Sequence, residues 1–449
     1  MKKVLALMVV LVLMTSLVGC GQKEEQTTPS PSTPTVPDGA SVGDEEINLR
    51  FSWWGGDARH EATLEVIRLF EEANPNIKVE PEYTAWSGHF ERIAAQLTAR
   101  DEADLMQINF NWFYGFSPDG DGFYDLRELD HILNLNNWPA ESFEPITING
   151  KIQGIPTSIG ARIYYLNKTM YDRAGVGIPE TWDDLMAAGR AFRDNLGPDY
   201  YPIGNVNYGE GAAMMTFGYL AQKYGKDIFE GNEMAYTVDE LADGFRFMQD
   251  LLDNHVIPDF HFDSANRNHE NPNWISGRYA GVYLWNSNIN VYAQNIDPAT
   301  NPNVVAAPFI KLGDNDLHSG VFSKILMAFS ISNHTNHPEE AAMLLNFLYT
   351  DKEAVLAHGL QRAIPLNKIA EEILAAEGQL EGLQYEGHVL TSQTATYSFH
   401  PFFEDNTVRS AYSDVFDNFV MMEGSLTPEA AAQEVITNFN RAVREAMSQ

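Results

Sequence analysis

The chain holds one cysteine in 449 residues, which excludes a disulfide within the chain and any zinc site of the Cys₂ or Cys₄ type. Positive charge is also scarce: 29 Lys and Arg stand against 62 Asp and Glu, a net charge of −33. A surface so acidic repels phosphate backbones and anionic headgroups, so nucleic acid and direct membrane-surface binding are disfavoured. It says little about a small ligand, because an acidic surface is also the ordinary way to stay soluble. Beyond the first twenty residues there is no second transmembrane segment, and there is no repeat of solenoid period. Catalytic signatures fail as well. His60-Glu61 lacks the second histidine of H-E-x-x-H because position 64 is Leu, and His334 with His337 lies in a polar loop without a third ligand nearby. Gly209-Glu210-Gly211 lacks the third glycine of a dinucleotide fingerprint. Asp119–Asp125 begins like a calcium loop, yet Phe123 occupies the fifth ligand position and Tyr124 the sixth, where the turn needs glycine. No cofactor and no metal is therefore expected. A pair of carboxylates for glycoside hydrolysis stays open, since their separation is spatial.

What is present begins with Met1-Lys2-Lys3 and an uncharged run from Val4 to Cys20. A short basic region, a short apolar run and small residues before a cut site make a secretory signal. The segment Leu17-Val18-Gly19-Cys20 resembles the end of a bacterial lipoprotein signal, whose cysteine is lipidated and becomes the mature N-terminus. On that resemblance residues 1–19 are the signal peptide, Cys20 is the lipid-anchor site, and the protein is exported and tethered to the outer face of the cell membrane. Residues 20–45 carry the anchor and a Thr-, Ser-, Pro- and Glu-rich stretch with almost nothing apolar to bury, expected to be an extended linker. Gly39-Ala40-Ser41-Val42-Gly43 matches the nucleophile pattern G-x-S-x-G. That chemistry needs a strand before the serine and a helix after it, and the linker offers neither.

The rest of the chain, too long for one ordinary core, suggests two lobes. Its organising stretch is Ile47 to Pro75. Ile47, Leu49, Phe51 and Trp53 alternate with polar or outward residues, Gly55-Gly56 stops the strand, and Ala62, Val66, Leu69, Phe70 and Ala73 then recur at helical spacing. Asp57 is the expected N-cap and Asn74-Pro75 the stop. In an open α/β sheet the turn after a strand's carboxyl end faces the ligand crevice, which places Trp54, Asp57 and Arg59 near a ligand. Amphipathic helices alternate with short apolar strands along the whole length, including Lys78–Tyr83, Asp104–Asn109, Ala161–Leu166 and a single strand over Ile325–Ile331. The expected class is α/β in layers.

Aromatics next to small polar residues recur at the expected strand ends: Trp86-Ser87-Gly88-His89, Asn109-Phe110-Asn111-Trp112, Tyr208-Gly209-Glu210, Trp285-Asn286 and His400-Pro401-Phe402-Phe403-Glu404. An indole face packs on the C–H side of a pyranose while a planar amide or carboxylate takes paired hydroxyls, so this is wall chemistry for a sugar. Singly, each such aromatic is more often a core residue; five loops of the same character argue for a site.

Five stretches taken in order carry a resemblance over nearly the whole mature chain: Phe51 to Val79, Trp86 to Asn109, Gly154 to Leu185, Trp274 to Trp285, and Arg362 to Lys368. The chain resembles the extracellular solute-binding proteins of family 1, the maltose-binding-protein-like lipoproteins of sugar ABC importers. The resemblance implies a two-lobed periplasmic-binding-protein fold of type II, with three hinge crossings, a ligand cleft between lobes and no catalysis. Lobe 1 is expected at 46–157 plus 319–364 and lobe 2 at 158–318 plus 365–449. Carried over, Trp54, Asp57, Arg59, Asn109 and Trp285 become ligand contacts, with Trp285 as stacking platform and Asn109 departing from the aspartate common at its position. The implied partners are a mono- or oligosaccharide and the ABC permease subunits, with the protein a monomer. A phosphorylated ligand would want clustered Arg or Lys near the cleft, for which Arg59, Arg162 and Arg362 are the candidates. Two other classes are weighed: a secreted glycoside hydrolase, which would need two essential carboxylates, and a glycan-binding surface adhesin, which would bind without cleft closure.

Overall fold

The computed structural model describes residues 46–204, 209–259, 269–314, 316–394, 396–421 and 426–447. The signal, Cys20, the linker with its G-x-S-x-G match, and Tyr208 lie outside the described residues. Among the described residues no helix is long and apolar enough to cross a membrane.

The opening stretch folds by the change of period its sequence carries. Strand β1, Ile47–Trp54, pairs in parallel with β2, Ile77–Thr84, and with β3, Leu105–Asn109. Between β1 and β2 runs helix α1, Asp57–Ala73, which buries Thr63, Val66, Ile67 and Phe70. Asp57 is not the cap: Gly56 is, without a side-chain cap bond, and Asp57 takes the first turn, where a carboxylate suits the positive end of the helix dipole. Helix α2, His89–Ala99, follows β2 after Gly88, whose φ of 81° lies in the left-handed region that glycine enters without a Cβ penalty.

Two five-stranded sheets organise the fold. The first runs β2, β1, β3, Met327–Ile331 and Ile155–Pro156, the last two strands antiparallel to their neighbours. The second centres on Ile159–Asn167, which pairs antiparallel with Gly281–Trp285, with Val304–Ala306 and with Phe322–Ile325; Tyr397–Ser398 closes its edge. The run Ile325–Ile331, expected as one strand, is two: Phe322–Ile325 lies in the second sheet and Met327–Ile331 in the first. Ile325, Leu326 and Met327 are all apolar, so no polar residue marks the passage at Leu326. Phe322–Ile325, expected in lobe 1, thus pairs within the second sheet, and the helix Lys368–Ala376, expected in lobe 2, packs into the cluster behind the first. Further helices run over Lys168–Ala174 and Gly382–Ser392.

Trp53 and Trp54 are adjacent on a strand and so point to opposite faces. Both are buried, in different cores. Trp53 packs with Phe51, Val66, Phe70 and Phe329 on one face of the first sheet, and Trp54 joins Met106, Ile108 and Trp112 on the other. The latter core continues through Tyr164 and Tyr283 of the second sheet into the C-terminal helices Asn406–Met421 and Pro428–Ala446. A third cluster with Tyr165, Trp274 and Tyr279 backs the second sheet.

Candidate functional site

The carboxyl ends of β1 and β3 hold a cluster of three tryptophans. Trp54 ends β1, Trp86 follows β2, and Trp112 lies in the short turn Phe110–Trp112 after β3. Their ring centroids stand 5.2 Å apart for Trp54 and Trp86, 5.3 Å for Trp54 and Trp112, and 5.3 Å for Trp86 and Trp112, the last pair stacked. Trp54 and Trp112 are buried, but Trp86 is 54% exposed. An indole held by two others yet open to solvent is a preformed apolar platform. His89 fits beneath, 5.3 Å from Trp54, with Nδ1 at 2.7 Å from the Thr84 hydroxyl. Burial, with the nearby Arg92 charge, pushes its pKa down to about 4, so the imidazole is neutral. Asp57 and Ser87 are exposed nearby in the chain.

Beside the platform lie amides. Asn109 donates from Nδ2 to Asn111 Oδ1 at 2.5 Å, and Asn111 Nδ2 reaches the carbonyl of Glu404 at 3.4 Å. Glu404 ends the turn Pro401–Glu404, so this contact joins the first sheet's wall to the second sheet's. Tyr114 and Phe402 meet across the same junction, with centroids 6.1 Å apart.

The second wall is charged. Trp285, half-buried at the end of its strand, is the register partner of Arg162. The Arg162 guanidinium carbon lies 5.3 Å from its ring centroid, and Lys324 Nζ lies 4.4 Å from it. Lys324 is ion-paired to Glu404, while Arg162 donates to Glu210 Oε1 at 2.5 Å and to the Tyr283 carbonyl at 3.1 Å. Arg409 Nη1 stands 4.0 Å from the other Glu210 oxygen. Burial alone would raise the Glu210 pKa, but the Arg162 charge and hydrogen bond, with Lys324 and Arg409, hold it below the ordinary carboxylate range. Glu210 is therefore ionised near neutrality.

Trp54, Trp86, Asn109, Asn111 and Trp112 thus share one wall, and Glu210, Trp285 and Glu404 the other. Asn286 is buried, its Oδ1 without a partner among the described residues, and Phe403 lies in the core against Tyr412 and Phe399. Arg59 holds the Trp54 carbonyl at 3.2 Å and that of Gln361 at 2.9 Å, and burial lowers its pKa to about 10. Arg362 is not at either wall. It is a buried tie between α1 and β3, donating to Gln107 at 2.7 Å and Thr63 at 3.1 Å. In the Asp119–Asp125 loop, Asp121 is ion-paired to Lys151 and Asp125 caps Arg127, and no group of three metal-binding side chains converges among the described residues. A separate open groove of about 960 Å³ runs past Trp138, Phe143 and Lys368, away from both walls. Lys324 and Arg409 were not among the expected site residues. Each sits on an element whose neighbours are apolar or ordinary surface polar groups, and only the pairing with Glu404 and Glu210 brings them to the wall.

With fold and walls in view, comparison with known proteins gives the family. The chain belongs to the bacterial extracellular solute-binding proteins, whose family model matches residues 57–355. Its structure is similar to a periplasmic solute-binding protein from Pectobacterium atrosepticum, at 36% identity over 89% of this chain and all of the other, with a TM-score of 0.81. It is also similar to a periplasmic oligogalacturonide-binding protein from Yersinia enterocolitica, solved with saturated digalacturonic acid, at 34% identity over 90% of this chain and all of the other, with a TM-score of 0.77. An ABC transporter extracellular-binding protein from Pyrococcus horikoshii is 23% identical over 363 residues, 79% of this chain and 80% of its own length. The match spans about a third, 34%, of other curated relatives, which are 29% identical. The architecture is the two-lobed type II periplasmic-binding fold of these neighbours.

Proposed function

We propose that the chain is an extracellular substrate-binding lipoprotein that captures a sugar or oligosaccharide between the two tryptophan-bearing walls and presents it to an ABC importer. The observation that carries this reading is Trp86: a large indole 54% exposed, stacked on Trp112 and set beside Asn109 and Asn111. An exposed ring face covers the C–H side of a pyranose, and the neighbouring amides take its hydroxyls. The family supports solute capture, and the similarity to the Yersinia oligogalacturonide-binding protein and the Pyrococcus ABC transporter extracellular-binding protein supports a saccharide and an ABC importer respectively. In this reading the ligand contacts are Trp54, Asp57, Arg59, Trp86, Ser87, Asn109, Asn111, Trp112, Tyr208, Glu210, Trp285, Asn286 and Glu404, while Phe403 backs them from the core. Cys20 carries the lipid anchor, the protein acts as a monomer, and the lobes close about the chain's crossings between the two sheets. Isothermal titration of the purified chain against neutral and acidic mono- and oligosaccharides is expected to show saturable, reversible binding with no product formed. Binding of no saccharide, or release of new reducing ends from one, would overturn the proposal.

A further inference from the structure

Arg362 lies away from both walls, is 2% exposed, and pairs with no carboxylate among the described residues. A cation buried without a counter-charge lowers stability, and an apolar side chain of the same length would fill the place at less cost. What the guanidinium does there is join elements. Its Nε donates to Gln107 Oε1 on β3 at 2.7 Å, and its Nη1 to Thr63 Oγ1 on α1 at 3.1 Å and to His358 Nε2, at the end of the helix Lys352–His358, at 2.6 Å. Burial and the Arg362 charge hold the His358 pKa well below the usual histidine range, so that ring is neutral and accepts. From these partners the contacts lead to Trp54. The Thr63 hydroxyl donates to the Arg59 carbonyl at 2.8 Å, and the Arg59 guanidinium holds the carbonyls of Trp54 and Gln361. Gln107 Nε2 faces the same Trp54 carbonyl at 3.5 Å. In the other direction the segment 359–366 ends on the crossings between the sheets. The Leu366 N–H donates to the Thr157 carbonyl, the Thr157 N–H to the Met327 carbonyl and the Leu326 N–H to the Ser158 carbonyl, each at 3.0 Å. Between Arg362 and Leu366, Ala363 has a φ of 66°, in the left-handed region that a residue with a Cβ enters at a cost. Strain of this kind persists where the surroundings fix the segment on both sides.

We infer that Arg362 is a positioning residue for saccharide capture: it touches no ligand, but it fixes the Trp54 and Arg59 end of the first wall to the crossings about which the lobes close, and the affinity of that wall depends on it. This rests on the saccharide reading above and adds to it a residue that belongs to neither wall. A planar fork of donors reaches α1, β3 and the helix before the segment at once, which a single ammonium or an apolar side chain cannot do. Without the fork, Arg59 still grips Gln361, but the 359–366 segment loses its side-chain ties to α1 and β3, and the Trp54 carbonyl is held to a support that can shift. A wall displaced by a fraction of an ångström meets the sugar's ring and hydroxyls out of register, so the loss appears in binding before it appears in the fold.

The test sets affinity against stability in the full chain. Arg362→Met keeps the bulk and removes the fork; loss of the uncompensated charge offsets loss of its hydrogen bonds, so the ligand-free melting temperature should change little. Calorimetric titration with digalacturonate, maltose and cellobiose should show binding weakened tenfold or more for whichever of these the unsubstituted protein takes. A purely structural arginine gives the reverse, a lowered melting temperature with unchanged affinity in the protein that stays folded, and that result overturns the inference. Thr63→Val, which removes the hydroxyl between Arg362 and Arg59, should weaken binding in the same direction, and Thr63→Ser, which keeps it, should not; equal affinities of these two overturn the inference as well, and they decide it if Arg362→Met does not fold. Hydrogen exchange of the ligand-free protein supplies a readout that needs no sugar. In Arg362→Met, or in Thr63→Val if that protein does not fold, the amides of residues 54–60 and 155–159 should exchange tenfold or more faster while those of the helix Pro338–Thr350 do not change. Unchanged exchange at 54–60, or the same increase along the whole chain, overturns the inference. If no saccharide binds the unsubstituted protein, the saccharide reading falls, and the exchange result still decides whether Arg362 holds the wall to the crossings.

Discussion

The two walls use tryptophan differently. On the first sheet, Trp54, Trp86 and Trp112 support one another, His89 beneath them is neutral, and the polar neighbours Asn109 and Asn111 are amides. On the second, Trp285 stands under two cations, Arg162 and Lys324, each answered in part by a carboxylate. The first wall suits surface and hydroxyls, and it is pre-assembled by packing alone. The second suits charge, and it is assembled only because opposite charges hold one another in a desolvated place. Binding that needs both lobes thus combines a shape term from one side with an electrostatic term from the other, which is what favours a closed state over an open one.

The difference is broken most strongly at Glu210. Removing one partner of a buried ion pair leaves the other uncompensated, so Glu210→Ala should cost the ligand-free protein about 3–5 kcal/mol in urea denaturation. The exposed pair of Arg68 with Glu65 is the contrast, and Glu65→Ala should move the same midpoint little. A Glu210→Ala protein as stable as Glu65→Ala would mean that the second wall is solvated and its charges do not depend on each other.

On the first wall the expected effect is smaller and of the opposite kind. Trp86 is 54% exposed, so Trp86→Ala should leave the ligand-free midpoint nearly unchanged. It should weaken saccharide binding by about 1–1.5 kcal/mol, roughly tenfold, as measured by titration. A variant with a lowered midpoint and unchanged affinity would make Trp86 part of the core and not of the platform.

The sequence carried the first strand, turn and helix plainly, because the apolar period changes from two to about 3.6 at Gly55-Gly56. The helix Lys352–His358 is likewise bounded by readable punctuation, Asp351, which caps it, and Gly359. The passage between sheets at Leu326 was hidden because Ile325, Leu326 and Met327 are all apolar and no turn residue separates them, so the two strands look like one. At the site, the residue types were legible and their grouping was not. Trp86 and Trp112 are 26 positions apart in the chain, and nothing local says that their rings stack at 5.3 Å. Phe403 and Glu404 are adjacent and looked alike as candidates, yet one is in the core and the other is ion-paired to Lys324. Lys324 is hidden because a lysine between Ser323 and Ile325 reads as a strand's solvent face, and its partners come from residues 285 and 404.

Trp285 is where the two kinds of wall are most directly told apart, since its ring carries the cations Lys324 and Arg162. The deciding measurement is the pair of ligand-free melting temperature and saccharide affinity on one variant, Trp285→Ala. If the ring is part of the binding wall, the melting temperature should change little while affinity falls by roughly tenfold or more. If it is a core residue, the truncation should cost the ~3–5 kcal/mol typical of buried aromatics, and the protein that remains folded should bind as before. A sharply lowered melting temperature with unchanged affinity would contradict the site.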